Sequence, residues 1–364
     1  MAEGTSRLRL LRFAIAFAAV VLSLALFEAG FRVKTYLDDR ELDVFQHLMG
    51  DRVVKNPCTK VRTRNIIRLS SDRKIIFELI PGITATYKGA VIRVNRAGFR
   101  GPEIALQKPE GTLRIAGLGD SVMFGYGVGE DEVYLGKLVR RIAERYPGVS
   151  WEAINSGVPG YNTVMEVETL KVRVLPYRPD LVLLHFNPND LALPNFIRNR
   201  APYLSPRKSY LYGYIRTIAH GLRRAPDDRL RKPSADGVPA EYRDMVGLDA
   251  FRTAIQELAA IALRKGFRVL VLTENEFPVE IRQICEAFGF PLLEGAGVLR
   301  KYLREHDIEE YRGSPLVRSA RDSHPSALAH RILAELLLDE LERRGWLTEL
   351  SQQALQVKFR DHAS

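Results

Sequence analysis

The sequence predicts an α/β fold in which a parallel sheet is covered by helices on both faces, preceded by an N-terminal apolar helix and a small β-rich appendage. Two observations carry this expectation. From residue 112 onward, apolar runs of strand length alternate with stretches whose apolar residues recur at helical spacing, and strands separated by helices pair in parallel. The run 181–186 is apolar along nearly its whole length, as a strand buried on both faces must be. A chain of 364 residues with 46% hydrophobic content can bury a substantial core in one large or two modest domains. Two cysteines exclude a disulfide scaffold.

The first element is apolar. Arg7, Arg9 and Arg12 precede the uncharged, almost wholly apolar run 13–27, and Glu28 is the one charge between Phe13 and Phe31. A helix needs about 20 residues to cross ~30 Å of hydrocarbon, so residues 1–35 read as a membrane anchor with Glu28 at the interface. The preceding basic cluster predicts a cytoplasmic N-terminus, a single pass through the cytoplasmic (inner) membrane and an exported remainder. The alternatives are a cleaved signal sequence, leaving a secreted protein, and a buried soluble helix; no Ala-x-Ala pattern follows the run.

Residues 36–110 read as a stalk, without strong periodicity over 38–71, and the β-rich appendage. Short strands are expected at 74–79 and 90–94, separated by Pro81-Gly82 and Lys88-Gly89, and a glycine-flanked turn runs from Asn95 to Pro102. The α/β region, 111–346, then gives a strand at 113–118 and a helix at 134–145 with Leu135, Leu138, Val139 and Ile142 on one stripe. Next come a strand at 151–155, a helix at 164–175 and the strand at 181–186. After an insertion at 191–246 come a helix at 250–264, a strand at 268–273, a helix at 280–288, a short strand at 290–293 and a final helix at 325–344. Residues 347–364 read as a tail.

The insertion follows a strand's carboxyl end, where it would serve as a lid or substrate platform. Within it Tyr210, Leu211, Tyr214, Ile215, Ile218 and Leu222 repeat at helical spacing, and this face has three candidate partners: the protein core, lipid or a glycan. The formal charge of +10 is unevenly distributed. Residues 51–100 hold twelve basic and three acidic groups, and residues 198–232 hold ten and two, on an otherwise mildly acidic chain. Export, the acidic remainder and the lack of a recognition motif exclude nucleic acid as a partner. Cys58 and Cys285 are far apart in sequence and read as unrelated thiols, with pairing the alternative. No Cys or His spacing suits a metal, so no structural zinc is expected.

Four polar clusters fall in loops that a parallel sheet would gather at one edge. Gly119-Asp120-Ser121 follows the first core strand, and a serine at such a strand-to-helix turn presents both its hydroxyl and its backbone N–H. The second cluster is Asn155-Ser156-Gly157, the third Asn187-Pro188-Asn189-Asp190, and the fourth Arg321-Asp322-Ser323-His324-Pro325-Ser326, just before the last helix.

In this order, over roughly residues 112–344, the clusters resemble the consensus blocks of the SGNH/GDSL hydrolase superfamily. The similarity extends to its membrane-anchored bacterial branch, whose members also carry an N-terminal apolar anchor and a turn like that from Asn95 to Pro102. The resemblance implies a flavodoxin-like three-layer α/β/α sandwich, acyl-ester hydrolase or transferase chemistry, and no metal or organic cofactor. Carried over position by position, it makes Ser121 the nucleophile, His324 its base and Asp322 the group that orients the imidazole. The oxyanion hole would combine the backbone N–H groups of Ser121 and Gly157 with the Asn189 side-chain amide.

Two positions depart from the family pattern. Asn187 stands where glycine usually begins the third block, which would narrow or reshape the pocket. Arg321 stands where the acid usually lies, and Asp322 is only two residues before His324; a backbone carbonyl is the alternative partner for the ring. His185 is a rival base by position, though a histidine on an apolar strand is more often a satisfied core residue. His330 reads as packing or surface, Asp120 as a loop-organising acceptor and Asp190 as a loop brace. Arg100 reads as a structural salt bridge, with an anionic substrate contact as the alternative.

The expected function is a membrane-anchored extracytoplasmic serine esterase that takes a small acyl ester or acylated carbohydrate. One alternative is an O-acyltransferase acting on an envelope polysaccharide through the same acyl-serine. The other is a non-catalytic binding or scaffold protein of the same fold.

Overall fold

The computed structural model describes residues 2–48, 60–61, 66–194, 197, 209–215, 238–320 and 322–361. The chain forms two compact units, Met1–Gly50 with Arg198–Arg231, and Asp51–Ile197 with Lys232–Ser364.

The smaller unit is built on one helix, α1 (Ala2–Leu48), about 70 Å long at 1.5 Å per residue. Its segment Leu10–Lys34 is long and apolar enough to cross a membrane, with Phe13, Phe17, Leu22 and Leu26 exposed. Residues 38–48, read as the start of a stalk, continue this helix. Glu28 accepts hydrogen bonds from Ser209 Oγ at 2.9 Å, Tyr210 N at 3.0 Å and Leu211 N at 2.8 Å, and from Arg32 Nε at 2.8 Å. Residues 210–215 are helical, and the Tyr214 ring lies 4.6 Å from that of Phe31. The charge that interrupts the apolar run thus satisfies the first N–H groups of the insertion helix. Ile218 and Leu222, expected to extend that helix, lie outside the described residues.

The larger unit opens with the appendage strands β1 (Lys60–Val61), β2 (Ile67–Leu69), β3 (Phe77–Leu79), β4 (Thr84–Tyr87) and β5 (Ala90–Arg93). Strands β4 and β5 form an antiparallel hairpin that turns at Lys88-Gly89, and β2 pairs antiparallel with β3. The strand expected from residue 74 begins only at Phe77. Asp72 Oδ1 accepts from Lys74 N at 2.7 Å and Ile75 N at 3.3 Å, so a side-chain turn consumes those residues first.

The core sheet contains β6 (Thr112–Gly119), β7 (Ser150–Asn155), β8 (Leu181–His185), β9 (Arg268–Thr273) and β10 (Leu292–Glu294). All are parallel, in the order β10-β9-β8-β6-β7. Side chains alternate between two cores, as the pleat requires. Ala116 and Leu118 of β6 face one layer, formed by α4 (Thr163–Thr169), α5 (Gly247–Lys265) and α6 (Val279–Ala287). Leu113 and Ile115 face the other, formed by α3 (Tyr134–Arg145), α8 (Ala327–Arg343) and α9 (Trp346–Asp361). This is the three-layer α/β/α arrangement that the sequence predicts. The helix expected at 164–175 is α-helical only to Thr169, continuing as a wider π-helical turn over Leu170–Val174 and a final tight turn, Leu175–Tyr177, that holds Pro176. Residues 347–361, read as part of a tail, belong to α9, whose Leu347, Leu350 and Ala354 are buried. Two further elements are α7 (Ala296–Glu305) and the antiparallel pair β11 (Val317–Ser319) and β12 (Asp322–Pro325).

From β6 the chain passes to β7 on one side and then to β8 on the other. The connection after β6 therefore runs towards β7 and the one after β8 towards β9 on the opposite side, opening a crevice at the carboxyl ends of β6 and β8. Ser121, Gly157 and Asn189 follow the three strands that meet there.

Candidate active site

Ser121 opens the one-turn helix α2 (Ser121–Phe124), immediately after β6. Asp120 Oδ1 caps this turn by accepting from Val122 N at 2.9 Å. So short a helix leaves its last carbonyls unpaired, and two side chains from outside satisfy them. Asn155 Nδ2 donates to Met123 O at 2.9 Å, and the Arg100 guanidinium donates to the carbonyls of Phe124, Gly125 and Val128. Arg100 is almost fully buried, and burial lowers its pKa to about 10 against the opposing charges of Glu130 and Glu132. The salt bridge expected for Arg100 is replaced by this carbonyl clamp, because the open end of α2 supplies acceptors and no carboxylate among the described residues bonds it.

His324, on β12, lies with Nε2 3.0 Å from Ser121 Oγ and Nδ1 2.6 Å from Asp322 Oδ1. The same Asp322 oxygen accepts from His324 N at 3.2 Å, which is how an acid only two residues away reaches the ring. Burial opposes ionisation of Asp322, but the hydrogen bonds from His324 and the Arg318 charge hold its carboxyl below the usual range. The Tyr126 ring stacks on the His324 imidazole, with centroids 3.9 Å apart and planes 13° from parallel. Both His324 and Asp322 side chains are about one-third exposed, so the group opens to solvent.

The three expected oxyanion donors differ in availability. The Ser121 N–H makes no hydrogen bond among the described residues. Asn189 Nδ2 donates one hydrogen to Asp120 Oδ2 at 2.9 Å, and its second has no partner among the described residues. Gly157 N already donates to Asn155 Oδ1 at 3.1 Å, so a substrate oxygen would have to share it. Glycine is required at 157 because a Cβ there would lie 2.5 Å from Phe124 N.

Asn187, the departure from the family pattern, is mostly buried and donates to Asp120 Oδ1 at 3.1 Å. Asp120 is thus the loop organiser expected of it, and Asp190 braces the same loop by accepting from Asn187 N at 3.0 Å. His185 is separated from this chemistry: it is fully buried, with Nδ1 2.7 Å from Tyr134 OH and Nε2 2.8 Å from Glu274 Oε2. His330 is buried against Tyr134 and accepts from Tyr134 N at 3.3 Å, a packing role. Cys285 is a buried free thiol raised to about 12 by burial, while Cys58 lies outside the described residues.

Tyr126, Arg318 and Asn155 are the site residues that sequence reasoning leaves without a role. Gly125-Tyr126-Gly127 offers one signal, since an aromatic between glycines beside Ser121 invites a place at the site. Arg318 offers none, because its partners come from the appendage and from β12.

A parallel sheet with a serine at its switch point, and a histidine and a carboxylate in line behind it, defines a serine hydrolase acting on ester bonds. The chain belongs to the GDSL-like Lipase/Acylhydrolase family, whose model matches residues 118–332. Among solved structures it is similar to the acetyl xylan esterase AlAXEase, at 16% identity and a TM-score of 0.40, over 63% of this chain and 100% of that one. A variant of an acetyl xylan esterase from Geobacillus stearothermophilus matches at 16% identity and a TM-score of 0.39, over 63% and 94%. TesA matches at 17% identity and a TM-score of 0.35, over 64% and 98%. No curated protein matches the sequence.

Proposed function

We propose that this chain is a membrane-anchored, extracytoplasmic serine esterase of the membrane-anchored bacterial branch of the family, removing acetyl or similar small acyl groups from carbohydrate. The observation that carries the reading is the continuous line from Asp322 Oδ1 through the His324 ring to Ser121 Oγ, with contacts of 2.6 and 3.0 Å. Ser121 Oγ attacks the ester carbonyl carbon as His324 Nε2 takes its proton, and Asp322 stabilises the resulting imidazolium. The carbonyl oxygen becomes an oxyanion held by the Ser121 N–H, the free Asn189 amide hydrogen and a shared Gly157 N–H. One such donor contributes about 2.7–4 kcal/mol to transition-state stabilisation. Collapse breaks the ester C–O bond, and the His324 imidazolium protonates the departing alkoxide. Water then adds to the acyl-serine with His324 again as base, releasing the acid and Ser121.

The membrane half of the reading rests on the apolar segment Leu10–Lys34 and on Arg7, Arg9 and Arg12 before it, which favour an inside N-terminus. Residues 36–110 serve as stalk and appendage, and the catalytic domain spans 111–346, completed by α9 packed against one face of its sheet. Outside the membrane, ester-bearing glycans are the substrates such an enzyme meets. The basic stretches 51–100 and 198–232 hold it near anionic headgroups or attract an acidic polymer.

A fluorophosphonate probe tests the chemistry: wild type is labelled, and Ser121→Ala is not. Labelling that persists in Ser121→Ala removes Ser121 from the reaction. Acyl transfer from donor to glycan without hydrolysis, in the purified full-length protein, replaces the esterase reading with the O-acyltransferase one.

A further inference from the structure

We infer that Arg318 is a positioning residue of the active site, strapping the Asp322 carboxylate to the appendage hairpin; this rests on the proposed roles of Ser121, His324 and Asp322. Asp322 spends Oδ1 on His324, through both the ring and the backbone N–H, which leaves Oδ2 to be held from elsewhere. Arg318 Nη1 donates to that oxygen at 2.9 Å. Its other terminal nitrogen, Nη2, donates to the carbonyl of Lys88, in the β4–β5 turn, 230 residues away in sequence. The guanidinium lies 5.6 Å from the centroid of Tyr126, the ring that stacks on His324.

The path of this side chain is built into its surroundings. Gly127, at φ +74°, runs directly beneath the guanidinium, and a Cβ at 127 would collide with it. On the far side, a Cβ at Gly89 would lie 3.8 Å from Arg318 Nη2. Strand β11 shifts register between Val317 and Ser319, and Arg318 sits at that irregularity. A planar fork is needed to reach a carboxylate and a carbonyl in different directions at once, and arginine alone among the cations supplies one.

The strap accounts for the departure from the family spacing. An acid two residues before the histidine is bound through one oxygen and is otherwise free to rotate about its Cβ–Cγ bond; Arg318 stops that rotation. It also withdraws negative charge from the carboxylate, tempering how strongly Asp322 favours the protonated imidazole. The other groups facing the pair are Asp120, whose Oδ2 is 3.2 Å from Ser121 Oγ, the Tyr126 ring, and Lys88, whose Nζ is 5.4 Å from that ring.

The test is the pH profile of kcat/KM for 4-nitrophenyl acetate with the full-length protein in detergent, for wild type, Arg318→Gln, Arg318→Lys and Asp322→Asn. Removing the guanidinium charge should lower kcat at least tenfold and move the acid limb to higher pH, because the unneutralised carboxylate favours imidazolium. Arg318→Lys should bring the acid limb back while kcat stays low, since one ammonium cannot span both partners. An Arg318→Gln enzyme with unchanged kcat and profile, or with lower kcat and an unmoved acid limb, overturns the inference. If Arg318→Gln does not fold, the profile of Arg318→Lys decides: wild-type kcat overturns the inference. Should Asp322→Asn retain full turnover, the underlying assignment of the acid fails instead.

Discussion

Asp120 and Asn189 are joined by a 2.9 Å hydrogen bond in which the asparagine amide donates to Oδ2 of the aspartate. The bond ties the loop after β8 to the turn after β6. The second carboxylate oxygen holds Val122 N and Asn187 Nδ2, so one buried side chain fixes both asparagines against the turn that carries Ser121. Hydrogen bonds to an ionised carboxylate are about twice as strong as neutral ones, which suits Asp120 to the task.

Asp120→Ala should therefore lower kcat at least tenfold, because the Asn189 amide is no longer aimed. Asp120→Asn should also lose rate, since one of its two polar atoms becomes a donor facing donors. Steady-state kinetics on a chromogenic acetyl ester measures both, and wild-type kcat in Asp120→Ala would remove its organising role.

Asn189→Ala and His324→Ala should each reduce turnover at least tenfold while thermal unfolding stays cooperative. They should differ with the phosphonate probe. His324→Ala should slow labelling strongly, because it removes the proposed base, whereas a normal labelling rate in that variant would point to another base.

Glu166 is buried on α4, and neither of its carboxylate oxygens has a hydrogen-bond partner among the described residues. Burial, reinforced by the Asp120 charge, holds its carboxyl well above the usual range, and burial with Glu166 and Asp120 does the same for Asp190. The folded chain therefore binds more protons than the unfolded one above about pH 4.3, so stability contributed by Glu166 falls as pH rises. Glu166→Gln keeps the shape and removes the titration. Urea unfolding at pH 5 and pH 8 should show a steeper loss for wild type than for this variant; parallel losses would contradict the buried neutral acid.

His330 titrates in the opposite sense. Burial, with the nearby Arg100 charge, lowers its pKa to about 3, while the unfolded residue protonates near ~6.5. Its neutral form is stabilising above the unfolded value, and that stability is lost as pH falls from about 6.5 towards 3. His330→Gln should be less stable than wild type at pH 7 yet lose less on acidification to pH 5, as followed by urea midpoints.

Glu28 is expected to govern the insertion more than the proposed anchor. Glu28→Leu lengthens the apolar run and removes the acceptor for Ser209, Tyr210 and Leu211. Membrane retention after alkaline washing should persist, while limited proteolysis within 209–215 accelerates at least severalfold. Unchanged cleavage would show that the insertion does not depend on Glu28.

Much of this molecule is written locally. Helix α3 is read from its apolar stripe with both ends correct, and β9 likewise, because period and flanking turns lie within a dozen residues. Helix α7 and the pair β11–β12 escape the same reading, because the apolar residues in and beside them, including Leu299, Leu303 and Leu316, pack in a small cluster of their own rather than against the main core. Arg100 was legible as important but not as a carbonyl clamp: its acceptors lie 24 to 28 residues onward, and nothing in their order predicts the open end of a one-turn helix.

The order of the polar clusters, and the residue types that ester chemistry needs, follow from the linear chain, since a strand–turn–helix alternation brings successive turns to one edge of a sheet. What depends on three-dimensional packing is how those groups are held. The reversal of strand order at β6 brings Ser121 between Gly157 and Asn189. A hairpin from the appendage meets Arg318 behind Asp322, and Tyr126 covers the face of His324. Those contacts span up to 230 positions, and local propensity is silent about such pairs. Side-chain chemistry is a property of the residue, whereas its orientation is a property of everything packed around it.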